Sequence, residues 1–340
     1  LGLVSNGRLL ALNSYENRVY RVGLEDGGSV IAKFYRSGRW SSACIREEHA
    51  YAIELDAAEL PVVPPLLTAG ETLHEVDDLR YALFPNRPGR APELDDAETL
   101  QWIGRFLGRI HGRGATRAFV HRPALTVARL GQESVQFLLA SDFLPGDLRP
   151  AYEAVATAAV AQAQATFEAI GPVQRIRLHG DCHHGNILWT EAGPHFVDLD
   201  DCMQGPAIQD LWMLLSGDRV DMTRQLSLLL EGYEDFRELD RSELSLIEAL
   251  RTLRILHYAA WLARRWSDPA FPMHFPWFNG QRYWQDHILS LREQLAAHRE
   301  EKSCASCHAH FDPIGIILEH YDIIGRWRDE EGGEPIVARE

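Results

Sequence analysis

The stretch LHGDCHHGNILW, residues 178–189, holds three imidazoles, a thiol, a carboxylate and an amide. Three kinds of site fit this set of groups: a metal centre, a thiol–histidine nucleophile, and a loop that handles phosphate. Zinc could use Cys182, His183, His184 and Cys202, but adjacent histidines point differently on most backbones and no paired C-x-x-C accompanies them. Cys182 could act as a nucleophile with a histidine, but nothing else in the sequence suggests acyl transfer. The rest of the chain favours the phosphate loop.

The spacing of three polar residues carries that interpretation. Asp181 is followed at +5 by Asn186, and Asp198 ends the apolar part of FVDLDD after a predicted hairpin. This order is typical of kinase-like phosphotransferases. Phosphoryl transfer needs hard oxygen ligands for Mg²⁺ and a carboxylate that accepts a hydroxyl proton. We therefore predict Asn186 and Asp198 as Mg²⁺ ligands and Asp181 as the proton acceptor, with Asp181 and Asp198 as the catalytic pair.

Lysine is rare in this chain. Of 34 basic residues only two are lysine, and Lys33 lies late in the β-like run VIAKFY. A compact ammonium there could pair with the phosphates of ATP. Such a lysine is usually held by a glutamate of the next helix, which leaves Glu47 or Glu48, and we favour Glu48. Asp210, in QDLW, could accept backbone N–H bonds from the catalytic loop.

Composition excludes several classes of protein. The 340 residues are 46% hydrophobic and carry a net charge of −15, so we expect neither nucleic acid nor an anionic membrane as a partner. No uncharged stretch is long enough for a membrane span. The five cysteines are mostly scattered and form no disulfide framework, which favours a reducing cytoplasm.

The pattern of strands and helices predicts two lobes and a tail. Prolines and a glycine at 85–89 break the chain, so we expect a nucleotide-binding lobe over residues 1–86 and a mostly helical catalytic lobe over 87–300. The predicted elements are strands at 19–22, 30–35 and 81–84, helices at 42–57, 97–111 and 151–170, a hairpin of 187–189 with 195–199, and three or four helices over 207–298.

Several runs together resemble the bacterial stress response kinase A family, within the aminoglycoside-phosphotransferase-like, protein-kinase-related superfamily. They are LNSYENRVY, AKFYR, EEH, LHGDCHHGNILW, FVDLDD, GPAIQDLWMLL and DPAFPMHFPW, and they span roughly residues 7–295. The resemblance implies an α+β, two-lobed protein-kinase-like fold. It implies a serine/threonine protein kinase that uses ATP and Mg²⁺ in the stress response, as a cytoplasmic monomer. By motif match Ser14 contacts ATP, Asp181 accepts the proton, and Asn186 and Asp198 bind Mg²⁺.

Two other functions remain open at this point. A small-molecule kinase acting on an aminoglycoside, choline or homoserine would share every residue named above, because only the acceptor site differs. A non-catalytic pseudokinase with a redox or haem tail is the second alternative, although intact Lys33, Asp181, Asn186 and Asp198 argue against it. His179 is expected to be a structural residue of the loop. Asp200 and Asp201 are expected to be loop carboxylates, either of which could assist a second Mg²⁺.

The tail, residues 301–340, has a different character. It contains CASCH, residues 304–308, the C-x-x-C-H pattern of c-type haem attachment, and resembles a fragment of a planctomycete-type cytochrome-like domain. Forty residues are too few for a cytochrome core, so we interpret the tail as an unrelated fused fragment and expect no haem on it. A zinc site of Cys304, Cys307, His308 and His310 is the remaining alternative.

Overall fold

The computed structural model describes residues 2–12, 14–300, 330–331 and 334–335. The cysteines and histidines of the tail motif lie outside these residues. The strands are β1 (Ser5–Ala11), β2 (Arg18–Leu24), β3 (Ser29–Phe34), β4 (His74–Val76), β5 (Leu79–Pro85), β6 (Ile176–Leu178), β7 (Ile187–Thr190), β8 (Gly193–Phe196), β9 (Met203–Gly205), β10 (Glu330–Glu331) and β11 (Glu334–Pro335). The α-helices are α1 (Ser42–Ala57), α2 (Ala97–Gly114), α3 (Glu133–Ala140), α4 (Arg149–Ile170), α5 (Ile208–Trp212), α6 (Arg219–Tyr233), α7 (Ile247–Arg265), α8 (Ala270–His274) and α9 (Gln281–Glu300).

The described chain divides into two compact units. The first contains the residues up to Ala124, 175–214 and 227–238, and the second contains 125–174, 215–226 and the residues from Leu239 on. Every residue that the sequence predicts for the site falls in the first unit. The predicted boundary between lobes at residue 86 stays a prediction.

An antiparallel sheet in the order β1-β2-β3-β5-β4 opens the first unit. The β-branched and aromatic runs of β2, β3 and β5 form the predicted strands. Asp26 accepts an N–H bond from Gly28 at 2.8 Å in the turn between β2 and β3. Helix α1 lies between β3 and β4 in the chain, and its cap Ser41 accepts the N–H of Cys44 at 3.2 Å.

The rest of the first unit carries the functional loops. Helix α2 begins after Asp96, which accepts the N–H of Thr99 at 2.7 Å, and buries its apolar face as predicted. Strand β6 pairs with β9, and β7 pairs with β8. The hairpin is tighter than predicted: its second strand begins at Gly193 instead of His195, because Thr190 pairs directly with Gly193.

The second unit is helical. Helix α4 packs against α7 and α9, and α3 packs against α7. The predicted helix over 151–170 is confirmed as α4, which begins two residues earlier, at Arg149. The prediction of three or four helices over 207–298 was too low, because α5 to α9 make five. Two of these have only five residues, and prolines at 269, 272 and 276 keep α8 short.

Candidate functional site

The catalytic loop connects β6 to β7 and is held by its own backbone. The carbonyl of Asp181 accepts N–H bonds from the backbone of His183 and from the side-chain amide of Asn186, both at 2.9 Å. Because its amide nitrogen is committed to this bond, Asn186 is left with its Oδ1 oxygen for a cation. The Asp181 side chain is partly exposed, so its carboxylate can meet an acceptor.

The β7–β8 hairpin brings Asn186 and Asp198 together. Ile187 pairs with Phe196, and the N–H of Val197 donates to the carbonyl of Asn186 at 3.0 Å. Asp198, the next residue after Val197, therefore has its backbone close to Asn186. Its backbone is left-handed, at φ 60° and ψ 63°, a conformation in which aspartate is one of the few tolerated residues. Its side chain is 46% exposed, which suits a metal ligand.

The catalytic loop and the turn 199–202 approach each other closely at Gly180. Pairing of Leu178 with Met203 lays the start of the catalytic loop beside the exit of the turn 199–202. Gly180 has φ +87°, and a Cβ built there would lie 2.1 Å from the carbonyl oxygen of Asp201. Only glycine allows the backbones to approach this closely.

Asp210 fixes the shape of the catalytic loop. Its two carboxylate oxygens accept the backbone N–H groups of His179 and Gly180, each at 2.8 Å. The prediction for Asp210 is therefore confirmed. A further partner was not predicted: the Nε2 atom of His111, in α2, lies 3.0 Å from the same carboxylate. The other ring nitrogen of His111 lies 3.0 Å from the hydroxyl of Tyr233.

His179 is a structural residue, as expected. It is buried, and its Nε2 donates to the carbonyl of Val197 at 2.9 Å. The bond ties the catalytic loop to the residue immediately before Asp198. The other ring nitrogen, Nδ1, is buried away from solvent, so an acceptor group has no access to it.

Lys33 lies among carboxylates. Its Nζ is 2.7 Å from Asp198, 3.4 Å from Asp200 and 3.6 Å from Glu48. Burial lowers the pKa of Lys33, but the facing carboxylates outweigh burial and hold the pKa well above its ordinary value. The lysine is therefore charged and faces the predicted metal ligand directly.

The structure distinguishes the two glutamates of α1. Glu48 is buried beside Lys33, and burial raises its pKa to about 7 despite the lysine. Glu47 instead accepts backbone N–H bonds from Val120, His121 and Arg122 at 2.6, 2.7 and 2.7 Å. The choice of Glu48 as the partner of Lys33 agrees with this geometry, whereas Glu47 secures a neighbouring segment.

Two arginines that the sequence analysis missed hold the turn after Asp198. Arg39 contacts the carboxylates of Asp200 and Asp201. Arg122 donates to the carbonyls of Cys202, at 2.8 Å, and Asp200. No short motif marks either arginine, because the contacts of Arg39 join residues more than 160 positions apart.

Ser14 lies in the connection between β1 and β2 and is half-buried. Its contact with ATP stays a prediction. The same connection carries Asn17, which is buried and donates to Asp200 at 3.0 Å.

The two rival interpretations of the opening stretch fail. The thiols of Cys182 and Cys202 are fully buried, and burial raises the pKa of both. A buried, protonated thiol is not a ready nucleophile. Within residues 2–12 and 14–300, no group of three or more histidine, cysteine or acidic side chains is arranged to hold a metal.

Comparison with known proteins gives curated relatives that match most of the chain. A serine/threonine protein kinase, RdoA, of Salmonella typhimurium is 45% identical over 296 residues, covering 86% of this chain and 88% of the relative. Stress response kinase A of Escherichia coli strain K12 is 42% identical over 299 residues, covering 88% and 90%.

The family models and solved structures agree on the fold. The model described as the phosphotransferase enzyme family, APH, matches residues 8–247. The structure of amicoumacin kinase hAmiN in complex with AMP-PNP, Ca²⁺ and Ami has a TM-score of 0.66 at 21% identity, covering 84% of this chain and 90% of that one. The fold is therefore the α+β aminoglycoside-phosphotransferase-like fold that the sequence predicted.

A second family model, a protein of unknown function (DUF1588), matches residues 258–331. This match begins within α7 and continues into the tail, in keeping with the predicted resemblance of the tail to a cytochrome-like fragment. Separately, none of the described helices is both long and apolar enough to cross a membrane.

Proposed function

The chain belongs to the phosphotransferase enzyme family and to its stress response kinase A group, and from this membership we propose that it is an ATP- and Mg²⁺-dependent serine/threonine protein kinase. The observation that carries the proposal is the cluster of Lys33, Glu48 and Asp198 beside the loop of Asp181 and Asn186. The names of the relatives support a protein acceptor over a small molecule.

Lys33 is the proposed phosphate ligand. Its ammonium lies 2.7 Å from Asp198 and 3.6 Å from Glu48. When ATP binds, the ammonium turns toward the phosphates and Glu48 keeps it in place. The Ser14 side chain and the β1–β2 connection contribute hydrogen bonds to the same phosphates.

The metal ligands fit the ion we propose. Asn186 Oδ1 and the exposed carboxylate of Asp198 are hard oxygen donors, which Mg²⁺ prefers. When bound, the ion supplies charge neutralisation on the phosphates. Asp198 is the residue that exchanges partners, because its present partner, Lys33, is itself needed by the nucleotide.

Asp181 is the proposed proton acceptor for the attacking hydroxyl. Its backbone carbonyl is fixed by the Asn186 amide, and the loop behind it is fixed by Asp210. The carboxylate is therefore presented from a rigid frame, which lowers the cost of orienting the acceptor. The serine or threonine hydroxyl of a protein is the group we expect it to deprotonate.

A small-molecule kinase is the second candidate. The amicoumacin kinase has the same fold, and every residue named in the mechanism would serve a small acceptor equally well. The pseudokinase alternative is disfavoured by the arrangement of Lys33, Asp181, Asn186 and Asp198. We further propose that the enzyme acts as a monomer in the cytoplasm, where ATP is supplied.

Transfer of labelled γ-phosphate from Mg-ATP tests the proposal. Wild type, Asp198→Ala and the surface control Asp235→Ala would each receive a generic protein acceptor and, in parallel, a panel of aminoglycosides. Label on protein serine or threonine that is lost only in Asp198→Ala supports the protein kinase. Label only on a small molecule moves the function to the second candidate. No transfer by folded wild-type protein with either class of acceptor would contradict both.

A further inference from the structure

Asp200 lies two residues after the predicted metal ligand Asp198 but is placed very differently. Its side chain is 4% exposed, against 46% for Asp198. Its Oδ2 accepts a hydrogen bond from Asn17 at 3.0 Å and also contacts Arg39. Its Oδ1 faces Lys33 at 3.4 Å. Oδ2 therefore faces an amide and a guanidinium, and Oδ1 faces an ammonium.

The partners of Asp200 come from separate parts of the nucleotide-binding region. Asn17 belongs to the β1–β2 connection, and Arg39 to the turn before α1. Asn17 is itself fixed, because its Oδ1 accepts the backbone N–H of Arg36 at 3.1 Å. The Arg36 side chain in turn donates to the carbonyls of Glu16, at 2.9 Å, and Tyr15, at 3.2 Å.

The surroundings of Asp200 are cationic. Its carboxylate faces the side chains of Lys33 and Arg39. A buried anion whose two oxygens already face an amide and two cations is compensated within the protein. Its 4% exposure leaves little access for a second Mg²⁺, an ion that usually keeps several waters.

We propose that Asp200 is a positioning residue that, with Asn17 and Arg39, forms a latch between the phosphate-facing β1–β2 connection and the metal-binding turn. The latch residues are Asn17, Arg39 and Asp200. The expected effect on nucleotide binding rests on the proposed function, whereas the contacts of the latch are present in the folded chain itself. Asp200 is accordingly not a ligand of a second Mg²⁺.

The latch has a consequence for binding that a metal ligand does not share. Opening it frees the β1–β2 connection, so nucleotide should bind more weakly whether or not Mg²⁺ is present. Loss of a metal ligand should weaken binding only when Mg²⁺ is present. In addition, once one side of the latch has been removed, removal of the other should cost little more.

Calorimetric titration with ADP, in Mg²⁺ and separately in EDTA, measures this difference. The variants are Asp200→Asn, Arg39→Gln, Asn17→Ala and the double variant of Asp200 and Arg39. Arg105→Gln is the matched control, since it removes an arginine from an exposed pair with Asp235. Far-UV circular dichroism and thermal melting establish that each variant folds. Asn17→Ala still tests the latch if the Asp200 or Arg39 variant does not fold.

We expect Asp200→Asn and Arg39→Gln each to weaken ADP binding about tenfold in both buffers, the loss of roughly one charged hydrogen bond. The double variant should be no weaker than Asp200→Asn alone, and Arg105→Gln should bind like wild type. Weakening by Asp200→Asn in Mg²⁺ but not in EDTA would overturn the latch in favour of a second metal ligand. Additive losses in the double variant would also overturn it.

Hydrogen exchange of the nucleotide-free protein separates failure of the latch from failure of the proposed function. Backbone amides of residues 14–18 should exchange faster in all three single variants than in wild type or Arg105→Gln. If wild type binds no ADP while exchange still rises, the proposed function fails and the latch stands. Unchanged exchange at 14–18 would overturn the latch even in an active kinase.

Discussion

At the scale of single residues, buried carboxylates set the geometry of the site by accepting several donors at once. Asp210 is the strongest case: its fully buried carboxylate receives two backbone N–H groups of the catalytic loop and faces the His111 ring. Hydrogen bonds to a charged group are worth more than neutral ones, and leaving buried donors without a partner is costly. Its role is therefore to hold the loop that carries Asp181.

We expect Asp210→Asn to lower the free energy of unfolding by about 3 kcal/mol, because an amide offers one acceptor oxygen where two buried donors must be satisfied. Phosphate transfer should fall as well, since the loop loses its anchor. Urea unfolding and the labelled-phosphate assay measure the two effects. Asp235→Asn, at a pair whose carboxylate is 51% exposed, should change stability by less than about 0.5 kcal/mol. Equal stability of both variants would contradict the role of Asp210.

Glu54 provides a prediction about pH. Its carboxylate accepts two bonds from Arg177 at 2.9 Å, and these bonds lower its pKa from 4.5 to about 2. Because the folded-state pKa lies below the unfolded one, the stabilisation is present above about pH 4.5 and is lost as pH falls toward 2. Glu54→Gln should therefore be less stable than wild type at pH 7, and the difference should shrink below pH 4.5.

Urea unfolding of both proteins at a series of pH values tests this. The exposed Glu93→Gln is the control and should follow wild type throughout. A stability difference that stays constant from pH 7 down to pH 3 would show that the carboxylate of Glu54 is not held ionised by Arg177 in the folded protein.

At the scale of elements, helix α1 connects the sheet to the functional loops. Glu48 faces Lys33, and the next residue, His49, lies 2.7 Å from the Tyr35 hydroxyl and 2.9 Å from the Thr72 hydroxyl. Burial lowers the pKa of His49 to about 3, so this link is between neutral groups. Glu47, on the other side, holds the segment 120–122. One helix thus secures partners on two faces.

Glu47→Ala should lower the free energy of unfolding by about 2 kcal/mol, because three backbone N–H groups lose a charged acceptor that is partly buried. It should also reduce phosphate transfer, since the segment carries Arg122, whose side chain holds the carbonyl of Cys202 at 2.8 Å. Unfolding in urea and the transfer assay provide the values. Arg46→Ala, exposed on the same helix, is the control, and an equal effect of the two changes would argue against the capping role.

The bounds of α1 could be predicted from the sequence, and its helical spacing could also have decided between Glu47 and Glu48. The cap at Ser41 and the end at Ala57 follow from local signals. Glu48 shares the buried face of α1 with Ile45, Ala52 and Leu55, so helical spacing favours it over Glu47. The latch contacts have no such signal: Asn17 and Asp200 are 183 positions apart, and only the folded chain brings them together.

At the scale of the whole molecule, the catalytic spacing and the resemblance were enough to predict fold and enzyme class, and both are confirmed. They were not enough for the supporting residues, because these come from segments whose only shared property is position in space. Arg39, which precedes α1, and Arg122, which follows α2, contact the same turn. A single sequence records local patterns, whereas such charge pairing depends on the tertiary fold.

The tail provides the last prediction. All the predicted site residues lie between Ser14 and Asp210, and the phosphotransferase match ends at residue 247. Deletion of residues 301–340 should therefore leave phosphate transfer within about twofold and the melting temperature within about 2 °C of wild type. A shorter deletion of residues 332–340 serves as the control for chain length. Both proteins would be compared in the labelled-phosphate assay and by thermal melting.

The second family match makes this deletion informative in either direction. Because that match covers residues 258–331, a cut after residue 300 divides it and leaves α7, α8 and α9 behind. If activity and melting are unchanged, these helices fold with the kinase and the tail is an appendage. If both collapse with the long deletion but not the short one, the tail folds together with α7 to α9. An absorbance band of bound haem in the purified full chain would then indicate that the C-x-x-C-H motif at 304–308 binds haem.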